Sequence, residues 1–474
     1  MSQLVVGSST TRRRPRKSKS HKNFSLGVSG FKAVRNKVSI DVAPLTVIAG
    51  ANSSGKSSFM QPFLMLKQTL EASFDPGAIL LYGPNVKFTD QSQLLSRGAA
   101  KADTVPDFEV TFEREGSTRV LQFEPGSEGF VIAKDTRKWG KEELTLSASP
   151  TAAEIKRLRD LFGKKLEEVR KSFPKSLTEG GQRWDITTSR NRFFIDPGVS
   201  LVRDSNSTAG VTSISLSVGI DNESTSSDEW ISLLQGLIHV PGLRGNPERA
   251  YSRSAVGDTY PGTFETYVAS IIHSWLNPAG KDAEKASAAL TGLTADLILL
   301  GLTWKVATRR VNDASLELLV GRLSHARQGG AWDLVSVADV GFGVSQTLPV
   351  LVALHAAEPG QLVYIEQPEI HLHPRAQLAM AECLVSATKR GVIVVVETHS
   401  SLLVRGLQTL IARKMIRPSD VSLNWFDRDS ETGVTIVSKA QLDAEGRFGD
   451  WPVDFDEISQ DADWAYLDAV GGSE

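Results

Sequence analysis

The chain has 474 residues, 41% of them hydrophobic and 23% charged, which is enough apolar content to bury a large core and excludes wholesale disorder. Its 53 Lys and Arg residues against 55 Asp and Glu leave a net charge of -2, so it is no polycation built to coat nucleic acid, and any basic surface is local. One cysteine forms no internal disulfide, the opening residues lack a secretion signal, and the apolar runs fall short of the roughly 18 to 20 residues that span a bilayer, so a cytoplasmic protein with no membrane contact is expected.

Residues 1–23 concentrate Arg12, Arg13, Arg14, Arg16, Lys17, Lys19 and Lys22 among Ser, Thr and Pro, the composition of a disordered basic arm that either touches phosphates or only aids solubility. From Phe24, the runs FSLGVSGF, KVSIDV and LTVIAG read as three strands separated by turns. The third ends in Gly50, and the segment after it has helical spacing of large apolar residues, with Pro62 expected to kink the helix or force an irregular turn. TAAEIKRLRDLFGKKLEEVRKSF, from Thr151, predicts an exposed helix or short helical pair, too short for a coiled-coil arm. RWDITT, RFFIDP and VTSISLSV alternate like strands, whereas EWISLLQGLIHV and FETYVASIIHSWL look helical.

The last third alternates an apolar helix (SQTLPVLVALHAA), a strand (QLVYIE), a helix (AQLAMAECLVSATKR), a strand (GVIVVVE) and a further helix. Continuous apolar strands between helices predict a parallel sheet covered on both faces, with Cys383 as a packed core thiol.

GANSSGKSS, from Gly50 to Ser58, satisfies GxxxxGK[ST] between a predicted strand and a predicted helix, the setting of a phosphate-binding loop. Gly50 and Gly55 let the backbone wrap around phosphate oxygens, with Asn52, Ser53, Ser54 and Ser58 completing the loop and the first helical turn offering N–H donors. Lys56 supplies a charge near the β- and γ-phosphates and Ser57 a hydroxyl for Mg²⁺, so ATP and Mg²⁺ are the expected ligands.

Such a loop needs an acidic residue at the end of a neighbouring strand, and LVYIEQPEIHLHP supplies Glu366 as the expected second metal ligand. The next position, where a water-activating carboxylate usually stands, is Gln367, whose amide orients water but accepts no proton at neutral pH. Glu369 is the nearest spare carboxylate, either a base or a cap for the next helix. His371 and His373 invite a zinc reading that lacks further ligands, and a turn facing a partner's active site fits them better. His399, just past the strand in VIVVVETHSSLL, is placed to offer a neutral imidazole to the γ-phosphate.

These segments, in this order, resemble the ABC-type ATPase heads of the SMC/RecF class and, more closely, the OLD-like (overcoming lysogenization defect) ATPases of bacteria. The resemblance identifies GANSSGKSS, IEQPEIHLHP and ETHSSLL with that family's Walker A, Walker B with D-loop, and H-loop. DVGFGVSQTLPVL, from Asp339, looks like its signature helix. Gly341 stands where ABC heads carry a phosphate-contacting Ser, so Ser345 or backbone N–H groups from Gly343 onward would substitute. VPGLRGNPERAYSRSAVGD, from Val240, and the terminal GRFGDWPVDFDE resemble a subgroup lacking a separate catalytic domain. In VSLNWFDRDSETGVTIVSK, Asp427 and Asp429 imitate a metal pair, but their neighbours are those of a hairpin loop.

The expected fold is α/β, a P-loop NTPase of ABC-ATPase head type with a mixed-sheet core, flanking helices and an α/β insertion. Head halves at 24–140 and 330–474, the latter ending in a hairpin, would enclose an insertion at 141–329. The resemblance implies a homodimer or higher homo-oligomer of heads with ATP between them and work in anti-phage defence beside a separate nuclease or toxin effector, whereas the departure at Gln367 points to slow turnover and the hairpin after His399 to no intrinsic nuclease. A DNA-gripping clamp for repair or maintenance, or a scaffold that does not hydrolyse ATP, are the other readings.

Overall fold

The computed structural model describes residues 24–98, 103–172, 182–203, 218–219, 227–254, 257–278, 280–323, 325, 333–449 and 464. The basic arm, most of the strand expected at 211–218 and most of the terminal GRFGDWPVDFDE lie outside them.

A central sheet holds five parallel strands in the spatial order Ile238–Val240, Leu362–Glu366, Ile393–Thr398, Leu45–Gly50 and Val421–Arg428, and Thr435–Lys439 closes the edge antiparallel. The strands read as unbroken apolar runs because both faces are covered. Ile48, Tyr364, Val395 and Phe426 share one core with the helix Lys56–Glu71. Val47, Val363, Ile365, Val394 and Val396 share another with the helices Phe342–Ala356, Pro374–Lys389 and Ser401–Ala412. The α/β mixed-sheet expectation therefore stands, with Cys383 buried in the second core.

A second, antiparallel sheet runs in the order Val38–Val42, Phe24–Ser29, Phe108–Arg114, Ser117–Pro125, Phe130–Trp139 and Glu142–Ser147. The helix Lys56–Glu71 lies between the two sheets. Phe63 meets Phe112 of the antiparallel sheet at 5.7 Å between ring centroids, and Phe59 meets Phe426 of the parallel one, also at 5.7 Å. Of the two outcomes expected for Pro62, the irregular turn is excluded, because the helix continues through it. The missing N–H removes one ladder bond, and burial of Phe59, Phe63 and Leu66 at both sheet faces outweighs it.

The segment from Thr151 holds one helix, Ala152–Ser172, started by a reciprocal cap. Thr151 N donates to Glu154 Oε2 at 2.5 Å and Glu154 N to Thr151 Oγ1 at 3.3 Å. EWISLLQGLIHV is helical only in its first part: the helix stops at Gly236, and Ile238–Val240 pairs in parallel with Val363, Tyr364 and Ile365. The boundary drawn after residue 140 also needs correction. It falls within a hairpin whose strands pair from Trp139 and Glu142 onward, and Ile238–Val240, from the supposed insertion, is a strand of the central sheet. Among the described residues no helix is long and apolar enough to cross a membrane.

Candidate functional site

The phosphate loop leaves the central sheet at Gly50 and enters its helix at Lys56. Gly50 has φ +149°, and a Cβ there would stand 2.0 Å from the Phe426 carbonyl oxygen. Gly55 has φ +98°, and its Cβ would stand 2.1 Å from Thr435 Oγ1. Both glycines are therefore required by packing against the terminal hairpin as well as by the loop's curvature. Thr435 secures that contact by donating to the Ser54 carbonyl at 2.9 Å. Asn52 and Ser53 form the exposed crest, Ser54 is buried, and Ser57 and Ser58 are half-buried in the first helical turn. No side chain caps that turn, so its N–H groups suit an anion.

Lys56 is buried. Its ammonium donates to the carbonyls of Gly50 at 3.0 Å and Ala51 at 2.5 Å and to Ser54 Oγ at 3.3 Å, curling into the loop that would surround a phosphate. Burial brings its pKa down to about 8, against the pull of Glu397 and Glu369.

One of those two carboxylates, Glu397, is the hydrogen-bond partner of the loop hydroxyl. Ser57 and Glu366, expected to share a metal, are not hydrogen-bonded to each other. Ser57 Oγ donates to Glu397 Oε1 at 2.8 Å, and the buried Tyr364 hydroxyl donates to Glu397 Oε2 at 2.8 Å. Glu397 went unnoticed within ETHSSLL, although a carboxylate ending a run of valines, level with Glu366 across the sheet, is a usable signal. Burial, then the neighbouring Glu366, pushes its carboxyl up.

Glu366, in register with Glu397, is bonded by residues beyond the sheet's other side: His239 Nε2 lies 3.0 Å from its Oε1, and Gly242 N donates to its Oε2 at 3.1 Å. Burial favours its neutral form, but these partners hold its carboxyl below the usual range.

Glu369 does not cap the following helix. His373 does, its Nδ1 accepting from Arg375 N at 3.4 Å. Glu369 Oε1 instead accepts from His399 N at 2.8 Å, its Oε2 is buried without a partner, and burial raises its pKa. His399 is half-buried, and burial and the Lys56 charge lower its pKa, leaving a neutral imidazole near pH 7. Gln367 sits at φ +45°, with its N–H donating to the Glu397 carbonyl at 2.7 Å. Asp429 accepts from Thr432 N at 2.7 Å and belongs to the hairpin turn.

On the helix Phe342–Ala356, whose N-cap Gly341 gives no side-chain cap, Ser345 Oγ turns back to the Phe342 carbonyl at 3.2 Å. A Cβ at Gly343 would stand 3.3 Å from the His371 carbonyl. The segment from Val240 proves to be a staple between this helix and the Glu366 strand end. Arg244, buried, donates to the carbonyls of Gln346 at 3.0 Å, Glu366 at 2.6 Å and Gln367 at 3.3 Å. Gln346 Nε2 returns bonds to the carbonyls of Arg244 at 3.2 Å and Gly245 at 3.1 Å.

The Ser57 hydroxyl, the strand-end carboxylates and the unpartnered Glu369 oxygen are hard oxygen donors of the kind Mg²⁺ takes, so the residues fit that ion. Bound with a nucleotide, it would neutralise phosphate charge.

Arg244→Ala is expected to cost about 2 to 4 kcal/mol, because it strips a charged donor from three carbonyls in the interior. Arg244→Lys should recover less than half of that loss, since a point charge cannot fork toward two elements. Denaturant unfolding of both variants checks this, and full recovery by lysine would show that charge, not the fork, holds the staple.

The fold is similar to solved SMC head structures at 11% identity. An SMC head bound to the C-winged helix domain of ScpA has a TM-score of 0.38, covering 88% of this chain and 97% of that one. For the SMC head domain from Thermotoga maritima the TM-score is 0.37, with 89% and 100% covered. A head with an extended coiled coil, bound to the C-terminal domain of ScpA derived from Pyrococcus furiosus, gives 0.38, with 88% and 96% covered. No curated protein matches. The family model described as "AAA domain, putative AbiEii toxin, Type IV TA system" matches residues 45–405, from the phosphate-loop strand into the helix after His399, and the chain belongs to that family.

Proposed function

We propose that this chain is an ATP-binding, slowly hydrolysing ABC-type ATPase of the OLD-like kind, a nucleotide-driven switch in bacterial anti-phage defence that acts beside a separate nuclease or toxin effector. The observation that carries the ATP reading is the meeting of Lys56 and Ser57 of an uncapped phosphate loop with buried carboxylates at the ends of neighbouring strands. Slow turnover follows from Gln367, which stands beside the strand end but accepts no proton. The family description, which names a toxin and a toxin–antitoxin system, supports a defence role.

Association of heads is part of the proposal. The uncapped end of the helix Phe342–Ala356 offers N–H donors for a partner's γ-phosphate, and Leu243 and Phe342, 94% and 51% exposed, flank the Arg244 staple as apolar groups a monomer leaves in water. ATP with Mg²⁺ is therefore expected to raise the sedimenting mass of the wild type. Lys56→Ala should abolish the effect by loss of binding. Gly343→Glu should bind ATP but fail to associate, because its carboxylate repels the phosphate. A mass unchanged by nucleotide in the wild type contradicts head association.

Lys56 also gives the affinity a pH signature. Its pKa in the free protein is about 8, and a bound phosphate raises it, so binding takes up a proton above that pH. Affinity should be insensitive to this group below pH 8 and fall above it, approaching about tenfold per pH unit. Calorimetric titrations between pH 7 and 9.5, in two buffers of different ionisation enthalpy, measure the uptake. Binding with no proton uptake at pH 9 contradicts the placement of Lys56 at the phosphates.

A further inference from the structure

We propose that the basic arm, residues 1–23, docks in an acidic groove of its own chain, formed where the helix Asp228–Gly236 meets the start of the strand Leu362–Glu366. Charge and chain connection support this docking independently of the ATP reading.

The groove has a volume of about 790 Å³ and is lined by Asp228, Glu229, Asp258 and Glu358 against one cation, Arg114. Segments far apart in the chain build it, and Gln361 fastens them. Its Nε2 donates to the carbonyls of Gly236 at 2.7 Å and Asp258 at 3.3 Å, and its Oε1 accepts from Glu358 N at 3.0 Å. The walls are therefore set before a partner arrives, which lowers the ordering cost of binding. Glu229 pairs with Arg114 and Glu358 with Lys285, and surface pairs of this kind exchange readily. Ile231 and Leu233 also line the groove and suit the methylene stems of lysine side chains.

The occupant is the complement of that lining. Residues 1–23 hold four Arg, three Lys and no Asp or Glu. A hollow elsewhere, lined by Lys32, Arg97 and Arg428, carries cations of its own and repels such a segment.

The arm joins the described chain at the rim of the groove. Phe24, the residue after it, opens its strand opposite Arg114, the groove's cation. The Phe24 ring meets that of Trp230 at 6.2 Å between centroids, and the Arg114 guanidinium lies 5.0 Å from the first ring and 5.4 Å from the second. Trp230 stands in sequence between Glu229 and Ile231, both of which line the groove. An extended chain spans at most about 3.5 Å per residue, so Lys22 stays within about 7 Å of Phe24 and Lys17 within about 25 Å. So short a tether holds the arm at an effective concentration in the millimolar range. Exposed ion pairs that would not retain a free peptide suffice at that concentration.

The groove adjoins the start of the strand Leu362–Glu366, whereas the phosphate loop lies beside the opposite strand ends. A docked arm therefore leaves the nucleotide site open while it is withheld from the phosphates of other molecules.

The test is disulfide cross-linking in the full chain carrying Ser20→Cys and Ser232→Cys, with the native Cys383 buried. Ser232 is an exposed residue of the groove, and Ser20 lies four residues before Phe24. Under mild oxidation at low ionic strength the two thiols should join within one chain. The rate should fall about fivefold or more when salt is raised to about 0.5 M, and equally when Asp228→Lys and Asp258→Lys reverse two groove charges. Asp313→Lys, on an exposed turn elsewhere, should leave the rate unchanged. The salt comparison needs no charge reversal and decides the matter if the doubly reversed variant does not fold. A rate indifferent to salt and to charge reversal overturns the proposal, because the tether alone then accounts for the contact. A cross-link found only between two chains also overturns it, since the groove then takes the arm of a second copy.

Discussion

The hydrogen bond from Ser57 to Glu397 joins residues 340 positions apart in the chain, and the site is organised around it. It exists because the loop strand Leu45–Gly50 pairs in parallel with Ile393–Thr398, which brings a phosphate-loop hydroxyl level with a strand-end carboxylate. Parallel pairing demands apolar cover on both faces. The helix Lys56–Glu71 and the antiparallel sheet provide it on one side, and the three C-terminal helices on the other. The buried carboxylates at the strand ends repel one another, and the Lys56 ammonium with the donors Ser57, Tyr364 and Gly242 offsets that repulsion.

A second layer of contacts surrounds that pair. His239, Gly242 and Arg244 hold Glu366 and the backbone of Gln367, and through Gln346 they hold the helix that starts at Phe342. A displacement at the strand end is therefore shared with that helix by direct hydrogen bonds. In a nucleotide-driven switch this staple is the connection through which a bound phosphate would influence association of heads.

The local parts of this architecture were legible in the sequence. The phosphate loop combines Gly, Lys and Ser in a register no ordinary turn needs, and doubly covered strands such as QLVYIE and GVIVVVE declare themselves as unbroken apolar runs. Decisions that belong to tertiary neighbours were not legible. Glu366 and Glu397 both end apolar strands, and nothing in their local pattern says which strand lies beside the loop. A three-residue strand such as Ile238–Val240 has no periodicity to separate it from the end of a helix. Pro62 argues for a break until Phe59 and Phe63 are seen between two sheets. The role of Arg244 follows from its three carbonyl acceptors, two of them more than 120 residues away.

The most direct test is a crystal structure of the protein with a non-hydrolysable ATP analogue and Mn²⁺ in place of Mg²⁺, with the metal located by its anomalous scattering. The account predicts manganese at the Ser57 hydroxyl beside the strand-end carboxylates, with Lys56 turned from the Gly50 and Ala51 carbonyls to the phosphates. An analogue and manganese bound away from the loop, with Lys56 still on those two carbonyls, would contradict it.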